Sequence, residues 1–83
     1  MTKIIVERRF AAPVSDAALA AGAARQLGCM DIHRVTYLRS LLSQDRQRMI
    51  CEFDAPDAES VRRVQREAEV PFESVWVADV LSL

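Results

Sequence analysis

RVTYLRSLLSQDRQRMICEFD, residues 34–54, is the stretch whose reading decides the fold. Two β-rich runs, residues 34–43 and 48–54, flank the polar turn Gln44-Asp45-Arg46-Gln47. That is the pattern of a β-hairpin. Side chains alternate across a strand, so Met49, Cys51 and Phe53 share one face and Arg48, Ile50 and Glu52 the other. The first set is apolar and is assigned to the side that meets helices. On the partner strand Leu38, Ser40 and Leu42 are expected to join it. Val35, Tyr37, Arg39 and Leu41 are then left outward.

Working outward, each flank supplies one strand and one helix. Upstream, residues 3–10 read as a strand that ends before Pro13, since proline cannot donate to a ladder. Ser15 is an N-cap, with Asp16 in the first turn. Leu19, Ala20, Ala23, Ala24 and Leu27 then recur at helical spacing, and Gly28 is the expected stop. Gly22 costs this helix about 1 kcal/mol against alanine. Downstream, Asp57 caps a second helix whose inner face is Ala58, Val61, Val64 or Gln65, and Ala68. Glu59 and Arg63 form an i,i+4 pair, and Pro71 ends the region. Residues 74–81 are the last strand. The order βαββαβ predicts an α+β, ferredoxin-like sandwich: a four-stranded antiparallel sheet with two helices on one face, one domain over residues 1–83.

Hydrophobic residues make up 51% of the chain, more than one thin core layer needs. Strand one sends Ile4 and Val6 inward and leaves Ile5, Glu7 and Arg9 outside. The face away from the helices therefore mixes Glu7, Arg9, Arg39, Arg48 and Glu52 with Ile5, Tyr37, Leu41 and Ile50. Such a face suits a homodimer, half covered by a second copy around a groove. With 11 basic and 12 acidic residues the net charge is −1, which argues against nucleic acid as a partner. No run approaches the roughly 18 apolar residues of a membrane span, and the N-terminus lacks the pattern of a signal peptide. The expected location is the cytoplasm, with Cys29 and Cys51 reduced.

Several spaced residues resemble a known family. Val6-Glu7-Arg8-x-Phe10 opens the chain, and Tyr37-Leu38-x-Ser40 follows. Asp45-x-x-Arg48-x-x-Cys51-x-Phe53-x-Ala55-Pro56-Asp57 is the most specific stretch, and Pro71 comes last. Together they are similar to a family of small bacterial ferredoxin-like domains of unknown function, some described as nickel-binding proteins. The resemblance implies a dimeric ferredoxin-like fold and makes nickel the candidate cofactor. The chain also departs from it. Relatives often carry histidine where Arg39 and Val64 stand here, and glycine where Glu69 stands. Arginine and valine do not ligate nickel, so the metal role does not carry over at those positions. Nickel binding weaker than in histidine-bearing relatives, or none, is expected.

The remaining metal candidates are Cys29, Asp31 and His33, three donor types at alternate positions. Their plainer reading is a solvent-exposed linker histidine, and Cys51, between Met49 and Phe53 on the core face, reads as a packed thiol. The ligand-binding candidates are Glu7, Arg9, Tyr37, Arg39, Arg48 and Glu52. Arginines bind carboxylate or phosphate through paired hydrogen bonds, and a glutamate with a raised pKa serves as a base. Cross-strand and intersubunit ion pairing is the plainer reading of this set. No nucleophile or nucleotide-loop motif is present. The expected function is a small dimeric module binding a metal or small anion at the open sheet face or dimer groove. The alternatives are an enzyme with a Glu base and Arg anion contacts, and a purely structural dimer module. The reading leans away from an enzyme.

Overall fold

The computed structural model describes residues 1–83. Its elements are β1 (Thr2–Arg9), α1 (Asp16–Met30), β2 (Thr36–Leu42), β3 (Arg48–Ala55), α2 (Ala58–Glu67) and β4 (Ser74–Ala78). The strands form one antiparallel sheet in the order β2-β3-β1-β4. This is the ferredoxin-like arrangement expected from the hairpin and its flanks. No helix is long and apolar enough to cross a membrane.

The caps fix where the helices begin. The Ser15 hydroxyl accepts from the Ala18 N–H, and an Asp57 carboxylate oxygen accepts from the Ser60 N–H. The Asp57 pKa is lowered, first by that backbone donor and then by the Ser60 hydroxyl. Both helices end in the same way. At α2, Val70 N–H reaches Gln65 O and Glu69 N–H reaches Arg66 O, with Glu69 at φ 56. At α1, Val35 N–H reaches Met30 O and Arg34 N–H reaches Asp31 O, with Arg34 at φ 59. These are Schellman turns, which favour glycine at the left-handed residue. α1 therefore runs through Gly28 and ends at Met30, with Arg34 and Val35 closing the turn that follows. Val35 is buried against Met30 in that turn and is not an outward strand residue.

The core gathers Ile4, Val6, Phe53, Val61, Val64 and Val75, all nearly or wholly buried. Each such side chain stabilises the fold by about 1.5–3 kcal/mol. The expected inner face of α2 is correct, with both Val64 and Gln65 fully buried. Glu59 pairs with Arg66 (3.1 Å) and not with Arg63. α1 behaves differently. It packs against α2 but stands off the sheet. Of its fifteen residues only Gly22 and Met30 are buried. Its expected inner residues Ala23 and Leu27 remain open to solvent.

One irregularity re-sorts β2. Tyr37 pairs with Phe53 and Arg39 with Glu52, so Leu38 is an extra residue between two consecutive partners on β3. This β-bulge turns Tyr37 to the helix side. There its ring meets Phe53 edge-on at 5.7 Å. The expectation that Tyr37 faces outward and Leu38 inward is corrected by that single inserted residue. Ser40 and Leu42 keep their expected side, opposite Cys51 and Met49.

Candidate functional site

The open sheet face brings five of the six ligand-binding candidates together. Register places Arg39, Glu52, Ile5 and Trp76 in one row, and Leu41, Ile50, Glu7 and Ser74 in the next. Glu52, only 8% exposed, accepts from Lys3 Nζ at 2.9 Å and from Arg39 Nε at 3.0 Å. Its pKa is lowered, first by the Lys3 hydrogen bond and then by Arg39. A general base at neutral pH needs the opposite shift. Both oxygens of Glu52 are thus committed to cations, an arrangement that favours the charged carboxylate. Glu7 accepts from the Ser74 hydroxyl at 2.8 Å. Arg9 lies opposite Arg48 and is tied to Glu73 at 2.9 Å. Arg48 forms no ion pair and is exposed. Tyr37 is absent from this face because of the bulge.

The metal candidates are not brought together. His33 Nε2 lies 3.0 Å from Glu67 Oε2. Cys29 packs against the core with its thiol toward Arg25 O, and Asp31 is exposed. A transition metal needs several N, S or O donors around one point. Nowhere do three His, Cys, Asp or Glu side chains gather in that way. Val64 lies in the core and Arg39 is committed to Glu52. The donor set of one chain does not fit nickel.

A concave gap lies beneath α1. It encloses about 780 Å³ between the helix and the β2–β3 half of the sheet. Ligand cavities commonly run from about 300 to 1,000 Å³. Its floor includes Met49, Cys51 and Phe53, with Leu19, Leu27 and Met30 among its α1 residues. Tyr37 donates to Ser40 Oγ at 2.8 Å, and the Ser40 hydroxyl points to Cys51 Sγ at 3.2 Å. The β2–β3 turn braces the segment before α1: Arg46 donates to Val14 O and to Asp16, both at 2.6 Å.

Arg8 is the one buried charged side chain lining this cavity, beside the exposed Arg9 and Arg25, and it is not among the six ligand-binding candidates. It shares parity with Ile4 and Val6, so it enters the helix side, and it is 4% exposed. Its guanidinium donates to Gln65 Oε1 at 2.7 Å and to Pro71 O at 2.9 Å. It has no carboxylate partner. Desolvating an ion costs several kcal/mol unless it is paired, so a buried arginine among neutral acceptors is unusual. The signal that reveals it is a charge on the apolar parity of β1.

Comparison with known proteins agrees with this architecture. A family model described as "Nickel responsive protein SCO4226-like" matches residues 5–77. The chain belongs to the SCO4226-like family. The crystal structure of SCO4226 from Streptomyces coelicolor A3(2) superimposes with a TM-score of 0.84 at 15% identity. The match covers 96% of this chain and 99% of that one, which establishes the shared fold. No curated protein matches the chain. In this SCO4226-like chain the family's nickel description meets a donor set that one copy cannot close. The cavity beneath α1 holds the buried guanidinium of Arg8.

Proposed function

We propose that this chain is a non-catalytic small-ligand-binding module whose binding place is the cavity beneath α1. The observation that carries the reading is α1 itself, held off the sheet over an apolar chamber that the domain does not fill. An 83-residue domain has little core to spare. A void of this size forgoes packing that ordinary cores make. A bound molecule that restores those contacts accounts for the arrangement. The lowered pKa of Glu52 and the lack of a nucleophile motif favour binding over catalysis.

The open face supports a second part of the reading, a homodimer. Trp76 is 44% and Leu41 55% exposed there, beside Ile5 and Ile50 and flanked by charges of both signs. Pairing two such faces leaves both cavities on the outer sides of the dimer, free for ligand. The location expected for such a module remains the cytoplasm.

A thermal-shift panel tests the binding reading, using neutral and charged apolar small molecules alongside divalent metals. A ligand at 100 times its dissociation constant stabilises by about 2.7 kcal/mol. For a domain of this size that raises the melting temperature by roughly ten degrees or more. At least one apolar compound is expected to do so. A panel without any shift overturns the proposal in favour of a purely structural dimer module.

A further inference from the structure

Arg8 is the one buried charge on the cavity's largely apolar walls; Arg9 and Arg25 also line it but are exposed, and Gln26, Tyr37 and Ser40 add neutral polar groups. A guanidinium carries five N–H donors. Two of them go to neutral acceptors, Gln65 Oε1 and Pro71 O. Gln65 is itself wholly buried and held in place from the other side, its Nε2 donating to Gln26 Oε1 at 2.9 Å. That bond presents the amide oxygen to Arg8. The residue beside the arginine is thus a neutral glutamine where a glutamate of nearly the same shape would neutralise the charge. The other nearby acids are engaged elsewhere: Glu7 lies on the opposite face with Ser74, and Glu73 is paired with Arg9. Arg8 is therefore a buried positive charge without a carboxylate partner, whereas Arg25, also at the cavity, is exposed and donates to Ala68 O at 2.8 Å.

The rest of the chamber sets the shape of what would meet that charge. Arg8 pairs with Met49 at one end of β3, and Phe53 with Tyr37 lie four residues along. At about 3.3 Å per residue the floor extends roughly 13 Å from the charge. Met49 and Phe53 from the sheet, with Leu27 and Met30 from α1, line it with hydrocarbon and aromatic surface. A single buried guanidinium at the end of an elongated, largely apolar trough matches one class of ligand. We infer that the cavity takes an apolar-bodied monocarboxylate, its carboxylate on Arg8 and its body along Met49, Phe53 and α1.

The inference rests on the cavity being the binding place, and its test separates the two. Decanoate, decanol and decylamine share one apolar body and differ in head group. Each is titrated into the full chain below the concentration at which it forms micelles, and binding is followed calorimetrically. Decanoate is expected to bind at least tenfold more tightly than decanol, with decylamine weakest. Gln65→Glu supplies an internal carboxylate to Arg8 and is expected to weaken decanoate at least tenfold while leaving decanol unchanged. Arg8→Met should do the same, with circular dichroism confirming that each variant is folded. Decanol binding as tightly as decanoate, or decanoate indifferent to both substitutions, overturns the carboxylate assignment and leaves the cavity reading standing. No binding of any of the three overturns both.

Discussion

Replacing Glu69 with glycine should stabilise this protein although it deletes a whole side chain. Glu69 ends α2 at φ 56, is exposed, and its carboxylate makes no hydrogen bond or ion pair. Its backbone N–H is held by Arg66 O at 3.1 Å, and the next N–H by Gln65 O at 2.9 Å. The chain must therefore adopt the left-handed conformation whatever residue stands there. A β-carbon in that conformation costs roughly 1–2 kcal/mol. Glycine loses about 0.5–1 kcal/mol through the greater freedom of its unfolded chain. The net gain is about 0.5–1 kcal/mol, or roughly 2–8 °C in melting temperature for a domain of this length. Differential scanning calorimetry reads it, with Glu69→Ala as the control that removes the carboxylate but keeps the β-carbon. If Glu69→Gly melts no higher than Glu69→Ala, the assignment of strain to this turn is wrong. The turn leads directly to Pro71, whose carbonyl receives Arg8, so the stabilised variant should retain the cavity's ligand response.

Three further outcomes follow from other parts of the structure. Glu52 has a folded pKa below its ordinary 4.5 because Lys3 and Arg39 donate to it. Its contribution is complete above about 4.5 and lost as the pH falls through the folded value, so Glu52→Gln should flatten the acid limb of stability measured by urea unfolding. Part of that limb should persist, since Asp45 and Asp57 are also lowered, Asp45 chiefly by the Ser43 hydroxyl. Trp76→Asp should convert a homodimer to monomer by light scattering at micromolar concentration, and a wild-type monomer under the same conditions would contradict the open-face pairing. Nickel titrated into tag-free protein should give a flat calorimetric trace, whereas a sub-micromolar site lost in His33→Ala would overturn the donor-set argument.

The parts of the fold legible in the sequence are those with a local physical cause. Ser15 and Asp57 announce helix starts because their side chains satisfy free N–H groups. Period-2 alternation places Glu7, Arg9, Arg48 and Glu52 on one face because β1 and β3 are regular throughout their pairing, and Arg39 joins them because it lies on the side of the bulge where β2 keeps its expected parity. Tyr37 was misassigned because the bulge at Leu38 carries no glycine or other mark. The ends of both helices were obscured for a related reason: Arg34 and Glu69 occupy left-handed positions where glycine is the usual signal. Gly28, which looked like a stop, lies inside α1 with open space where a β-carbon would go. The cavity was the least legible feature. It depends on how far α1 stands from the sheet, a tertiary distance that no spacing of alanines encodes. Arg8 alone left a trace, as a charge in step with Ile4 and Val6.

Whether the space beneath α1 takes a ligand can be read at the three methionines. Met30 and Met49 line the cavity from the helix and from the sheet, and Met1 is 75% exposed and lies outside it. In protein carrying ¹³C-methyl methionine, decanoate titration should move the Met30 and Met49 methyl resonances together along one binding curve while Met1 stays fixed. Stationary Met30 and Met49 signals, or a response confined to Met1, would contradict a ligand site there.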